Sequence, residues 1–287
     1  MLRIDTHVHI YRIATTAGLS QASPSVVAMP ASSAPVEWLH QDMAAHGIEA
    51  AVLVQHSAFG TDNSYIAECV QRFPEQFRGI GLVDPHDARV GDAIASWMAR
   101  GLSGFRLHPL YEERPEWLWS ARGDELFAAA QAHGALLQFH FRPEHAAAIG
   151  ALAARFPDVP VVLDHLGKPE VTEPEPYPSF APVLELASLA NCYMKIGDYE
   201  KASHQAYPWR DTWPFVALLV ERFGASRMMW GTGFPGPHRR VPLPEAIAYV
   251  EERLPLSAAA RSAIMGETPR ALFGFGTPRF AKRASVV

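Results

Sequence analysis

The chain has 287 residues, 48% of them hydrophobic, enough for one large folded unit with a substantial core. A formal net charge of -5 argues against general affinity for nucleic acid or for anionic membrane surfaces. Two cysteines, Cys69 and Cys192, are too few for a disulfide framework and too far apart for a zinc knuckle, so both are expected to be small buried core residues.

Eight short segments rich in β-branched and apolar residues read as strands: Leu2–Ile10, Ala51–His56, Arg78–Val83, Gly104–His108, Ala135–Phe141, Val161–Leu166, Cys192–Ile196 and Arg227–Trp230. After each comes a stretch with apolar residues at helical spacing: Glu37–His46, Asn63–Phe73, Gly91–Arg100, Glu125–His133, Pro143–Phe156, Phe180–Leu189, Phe215–Phe223 and Leu243–Leu254. Gly47, Gly101, Gly134 and Gly224 stand where helices need a left-handed closing residue. Strand–helix alternation repeated through the chain predicts an α/β fold, a single-domain (β/α)8 TIM barrel over residues 1–275 with a flexible tail from 276 to 287. A doubly wound open sheet is the alternative; the absence of Gly-x-Gly-x-x-Gly after the first strand weakens its dinucleotide-binding version. No apolar stretch approaches the roughly 20 residues of a membrane span, and the chain opens on Asp5-Thr6-His7 without a leader-like segment, so a soluble cytoplasmic protein is expected.

Barrel enzymes place their chemistry at the carboxyl ends of the strands. There this sequence puts His7 and His9, His56, Asp84, Arg106 and His108, His140, Asp164 and His165, and Asp198. Residues two apart on a strand share a face, so His7 and His9 are expected to enter the barrel mouth together. With His140 and His165 they supply nitrogen donors from three strands, a construction suited to a divalent metal or to polarising a carbonyl. The plain alternative is that such histidines bond to loop backbone and that Asp164 bonds a neighbouring amide. The first loop, Tyr11–Pro35, is long enough to be a lid or an irregular insertion. Aromatic and cationic residues of later loops, Tyr199, Arg210, His108, Lys168 and His238 among them, are candidates for substrate contact.

The motifs Asp5-Thr6-His7-Val8-His9, Gly104-Phe105-Arg106-Leu107-His108-Pro109, Gln138-Phe139-His140-Phe141, Asp164-His165-Leu166-Gly167-Lys168-Pro169 and Trp230-Gly231-Thr232 together resemble the amidohydrolase superfamily. The similarity is to its branch of metal-dependent-hydrolase-like barrels that includes sugar lactonases and 2-pyrone-4,6-dicarboxylate lactonase, and runs from Asp5 to about Phe275. It implies that His7, His9, His140 and His165 are catalytic and form the ligand set if a metal is bound. One divalent ion such as zinc is then the cofactor expectation, and hydrolysis without a metal stands equally beside it. It also implies that Arg106 faces a substrate oxygen or carboxylate, which a guanidinium grips with two parallel hydrogen bonds. The implied function is opening of a sugar-acid or dicarboxylate lactone by water attack, the partner being an acidic or polyhydroxylated small molecule. Decarboxylation is an alternative, as is a binding protein that has lost hydrolysis.

The sequence departs from the family after the eighth strand. The family usually carries an aspartate where this chain has Gly233. That carboxylate takes a proton from the attacking water, a contribution of about 10²–10⁴-fold for a general base. Three explanations stand open: a replaced acid in an otherwise normal hydrolase, a base relocated to Asp198, Glu200, His204 or His238, or a barrel that binds without hydrolysing. His238, Arg239 and Arg240, close after Gly233, favour the second.

Overall fold

A computed structural model describes residues 1–13, 30–233 and 241–276. Eight strands pair in parallel in chain order: β1 (Ile4–Val8), β2 (Ala50–Val54), β3 (Phe77–Leu82), β4 (Gly104–Leu107), β5 (Leu136–Phe139), β6 (Val161–Leu163), β7 (Cys192–Ile196) and β8 (Met228–Trp230). β8 returns beside β1, where Gly233 N–H donates to His7 O at 2.7 Å and Thr6 Oγ1 donates to Trp230 O at 2.6 Å. The sheet thus closes as a (β/α)8 barrel, as the alternation predicts.

Helices alternate with the strands: α1 (Val36–His46), α2 (Ser64–Arg72), α3 (Val90–Ala99), α4 (Ala121–His133), α5 (Ala146–Arg155), α6 (Ala181–Glu185), α7 (Tyr199–Ala202), α8 (Trp213–Phe223), α9 (Leu243–Ala248), α10 (Ala258–Ser262) and α11 (Thr268–Phe273). α1 and α4 stop on Gly47 and Gly134 at φ 62° and 63°, the left-handed closure expected of them. The segment after β8 differs from its expected single helix: α9 is continued by π-helical turns over Tyr249–Arg253. Both cysteines are buried, and among the described residues no helix is long and apolar enough to cross a membrane.

Two apolar layers arise from the period-2 alternation of the strands. One packs the strands' outer faces against the helices; the other, Ile4, Val52, Val54, Ile80, Leu136, Val162 and Met229 with Phe273 and Phe275, fills the barrel interior. Arg78 seals the far end. Its Nε donates to Phe273 O at 2.9 Å and Nη2 to Gly274 O at 2.8 Å, answering carbonyls that the end of α11 leaves unpaired, and Nη1 donates to Pro74 O, just after α2, at 2.5 Å.

Climbing each strand two residues at a time, the interior changes from apolar to polar. Leu136 gives way to Gln138 and His140, Val162 to Asp164, and Val54 to His56. β1 needs a correction to keep this phase. Ile4 faces inward and Val8 packs outward, and the ladder slips between Asp5 and Val8, where three β1 steps meet two on β2. This bulge brings His7 and His9 to the mouth; unbroken alternation from Ile4 would turn them away from it.

Candidate active site

The floor of the mouth is a buried ionic group. Asp164 Oδ2 accepts from Arg106 Nε at 2.7 Å and from Gln138 Nε2 at 3.0 Å. Lys195 Nζ donates to Gln138 Oε1 at 2.8 Å and lies 3.8 Å from Asp164 Oδ1. All four side chains are at most 4% exposed. Burial on its own would raise the Asp164 carboxyl, but Arg106 and Lys195 outweigh it and hold it well below the usual carboxylate range. Burial lowers the Lys195 ammonium to about 8 against the pull of Asp164. Asp5, fully buried, is raised to about 6 by desolvation, although Thr232 Oγ1 and the backbone N–H groups of Thr232 and His7 all donate to it.

Above this floor six imidazoles form a circuit. Ring centroids are 4.9 Å apart for His7 and His9, 5.2 Å for His9 and His56, 4.7 Å for His7 and His165, 5.2 Å for His165 and His140, and 5.5 Å for His140 and His108. At the open ends, Ser57, next to His56 in the chain, brings its Oγ to 3.3 Å from His108 Nε2. Burial depresses all six, and the Arg106 charge pushes each in the same direction; His56 falls to about 4 and the others well below the ordinary histidine range. At pH 7 the rings are therefore neutral, with lone pairs to offer. Several polar atoms here are buried without a hydrogen-bond partner: both nitrogens of His7, His140 Nε2, His165 Nδ1 and Asp164 Oδ1. Buried polar groups are normally paired, so this concentration marks a place built for something else to bind.

The hydrogen bonds assign tautomers. Arg106 cannot accept, so its contact to His165 Nε2 at 3.0 Å makes that nitrogen the acceptor and leaves the proton on Nδ1. Nδ1 in turn faces Asp198 Oδ2 at 3.6 Å. His9 Nδ1 lies 2.8 Å from Val54 O and must donate to it, which leaves the lone pair on Nε2.

The turn that carries His165 is unusual. His165, Leu166, Gly167 and Lys168 run consecutively at φ 56°, 60°, 69° and 54°. Left-handed backbone costs a non-glycine residue about 1–2 kcal/mol, a strain that persists where the surroundings over-determine it. β6 consequently ends at Leu163, short of the expected Leu166, and the reversed turn swings Lys168 back over the mouth as a half-buried cation. Gly167 is obligatory for a further reason: a Cβ there would meet Val183 Cγ1 at 2.5 Å.

His7, Asp164 and His165 each offer a ligand atom, all within 4.8 Å of one another, so this trio can hold a metal ion. His7 and Asp164 Oδ1 present lone pairs as they stand. His165 does so at Nδ1 only when Arg106 releases Nε2. Asp164 thus joins His7 and His165 of the four imidazoles expected from sequence; His9 bonds Val54 O through Nδ1 and His140 Nδ1 lies 3.3 Å from His108 Nδ1, each with Nε2 not engaged by those contacts.

Of the other expected site residues, Arg106, His108 and Lys168 stand at the mouth. Tyr199 does not: it is 2% exposed, stacked on Tyr249 at 4.1 Å, with its hydroxyl donating to Ala246 O. Its aromatic face packs the barrel wall instead of lining a pocket. Arg210 is exposed and lies over the Trp213 ring at 5.0 Å, away from the imidazole circuit. His238 and most of the loop Tyr11–Pro35 lie outside the described residues, as does the tail from 277 onward. Sequence reasoning missed Lys195 and Gln138; a charged or amide residue inside an apolar strand, in phase with the interior, was the available signal.

The chain is similar to known proteins over most of its length. The chain is 26% identical to a 4-sulfomuconolactone hydrolase from Rhizobium radiobacter, over 94% of this chain and 89% of that protein. A solved structure described as a candidate 2-pyrone-4,6-dicarboxylic acid hydrolase from Pseudomonas putida superposes with a TM-score of 0.77 at 29% identity, covering 96% and 98% of the two chains. An amidohydrolase from Burkholderia multivorans, solved with bound zinc, gives 0.79 at 25% identity, covering 96% and 99%. The sequence profile of the amidohydrolases matches residues 4–275, and the chain belongs to that family.

Proposed function

We propose that this protein hydrolyses the ring ester of a small anionic lactone, of the muconolactone or pyrone-dicarboxylate kind. The observation that carries the reading is the set of unpartnered atoms on His7, His140, His165 and Asp164, gathered over a cationic floor. Arg106, Lys168, Lys195 and Lys201 stand against Asp5, Asp164 and Asp198 around it, so the mouth favours a substrate with its own negative charge. Relatives named for a sulfonated muconolactone and a pyrone dicarboxylate support the same class.

Each group has a task that its environment explains. Arg106 is held from two sides, by Asp164 and by His165, so its charge is fixed in place before substrate arrives. Lys168, swung inward by the left-handed turn, supplies the second cation for a carboxylate or sulfonate. His165 presents an N–H at Nδ1, and His140 and His7 present neutral nitrogens, to the carbonyl and its attacking water. A zinc ion on His7, Asp164 and His165 would add Lewis acidity toward the carbonyl oxygen.

Purified protein should open anionic lactones in a panel that also holds neutral esters and aromatic acids, and His165→Ala should lower kcat at least 10²-fold. Carbon dioxide released from the acids, or tight lactone binding with no ring opening, would overturn the assignment.

A further inference from the structure

Water attack on a lactone needs a proton acceptor close to the carbonyl, and the floor does not provide one. Asp164 Oδ2 accepts from Arg106 and Gln138 while its Oδ1 sits 3.8 Å from Lys195 Nζ and 3.6 Å from His7 Nδ1, so its charge is committed to two buried cations, and Asp5 is closed in by Thr232 and the His7 N–H. Among the described residues, Asp198 is the other carboxylate that faces the imidazoles. It follows β7 directly, its side chain is 11% exposed, and Oδ2 lies 3.6 Å from His165 Nδ1 and 2.7 Å from Lys201 Nζ. No described residue donates to Oδ1.

Three backbone features aim it there. Asp198 itself sits at φ 54°, ψ 24°, left-handed and costly for a non-glycine residue. Gly197 before it lets β7 and β8 meet: a Cβ at that position would lie 2.8 Å from Gly231 O and 3.6 Å from His165 Nδ1, in the space between His165 and β8. On β8, a Cβ at Gly233 would lie 3.7 Å from Asp198 Oδ1. The carboxylate therefore stands in ordinary van der Waals contact with the place a Cβ at 233 would take.

We propose that Asp198 is the catalytic carboxylate of this barrel, delivered from the strand-seven end to a position beside Gly233. This rests on the lactone-hydrolase reading and adds the proton path to it. As the water oxygen bonds to the ring carbonyl carbon, one water proton passes to Asp198 Oδ1. The carbonyl π pair moves onto oxygen beside the His165 N–H and the fixed cations. When the carbon–ring-oxygen bond breaks, the proton returns from Asp198 to the departing oxygen. One water has then been added across the ester, the carboxylate is restored, and the new acid ionises into solvent.

The test uses the full chain with an anionic lactone that the parent hydrolyses. Asp198→Asn keeps shape and hydrogen bonding, and Asp198→Gly suits the left-handed backbone; both should lower kcat at least 10²-fold with KM changed less than about threefold. Asp198→Gly combined with Gly233→Asp puts a carboxylate back from the neighbouring strand and should recover at least tenfold in kcat over Asp198→Gly. A purely structural Asp198 would leave the asparagine variant active and the double variant no better than the single. If the parent is active and Asp198→Asn keeps kcat within threefold, this proposal falls and the lactonase reading stands. If the parent opens no anionic lactone, both fall.

Discussion

Acidification should unfold this protein from its active site outward. His7, His140 and His165 are at most 6% exposed and are held neutral in the fold. In the unfolded chain each binds a proton once pH drops below about 6.5. Because the folded pKa lies below the unfolded one, the unfolded state holds more protons, and folding stability is lost as pH falls through 6.5. Well below that pH each ring contributes about 1.4 kcal/mol per pH unit, about 4 kcal/mol for the three. Asp5 opposes them: its folded pKa of about 6 is raised, so it adds stability as pH falls from 6 toward 4, about 1.4 kcal/mol per unit at most. The balance is a loss of about 3 kcal/mol per pH unit between 6 and 5, before half-buried His9, His56 and His108 add theirs. Against a typical total of about 5–15 kcal/mol, that is a large fraction. Urea unfolding at pH 7.5, 6.5, 5.5 and 5.0 reads it directly. A variant with His7→Asn and His165→Asn should show a shallower slope by about 2–3 kcal/mol per unit. Stability that is level or rising between pH 6.5 and 5 would refute the reasoning.

The floor makes a prediction of its own about order of damage. Arg106→Met leaves Asp164 with Lys195 at 3.8 Å, whereas Asp164→Asn leaves two buried cations with no anion between them. Breaking a buried pair costs about 3–5 kcal/mol, so Arg106→Met should fall at the low end and Asp164→Asn at the high end in thermal or urea unfolding; the reverse order would be evidence against the arrangement. Gly231→Ala tests how tightly β8 holds β1, because its Cβ would stand 2.6 Å from His7 Cβ and 2.9 Å from His7 N. Overpacking of that kind costs about 1–3 kcal/mol, and the displacement of His7 should lower lactone turnover at least tenfold; unchanged kinetics would show that His7 need not be held where it is.

The barrel was legible because two periodicities agree along most of the chain, and because polar residues appear at the carboxyl ends of otherwise apolar strands. The same alternation also misleads where the backbone departs from it. Counting by twos from Ile4 puts His7 on the wrong side, and only the slip in the β1–β2 ladder corrects it. Extending β6 to Leu166 assumes ordinary strand angles, while His165 to Lys168 turn left-handed with only one glycine to signal it. The floor was harder still. Asp164 reads as a polar strand-end residue or as a carboxylate that bonds a neighbouring amide, and its pairing with Arg106, 58 positions away, depends on strands β4 and β6 sharing a layer. A loop aromatic that packs inward and one that lines a pocket look alike in sequence, and for Tyr199 only the structure shows the stacking on Tyr249.

Strain, desolvated charge and unpartnered imidazoles all collect at one end of this barrel, and the other end answers them with an apolar plug and the Arg78 seal. That division explains why the mouth can carry Arg106, Lys168, Lys195 and Lys201 against Asp5, Asp164 and Asp198. The excess cation is unfavourable only while no anion is bound there. A ligand bringing one or two negative charges removes the deficit, so part of its binding free energy appears as added stability of the fold. The more the mouth is destabilised by its own charge, the more strongly it selects for anionic ligands over neutral esters of the same shape. Selectivity by charge, more than by shape, is what this arrangement of residues is suited to provide.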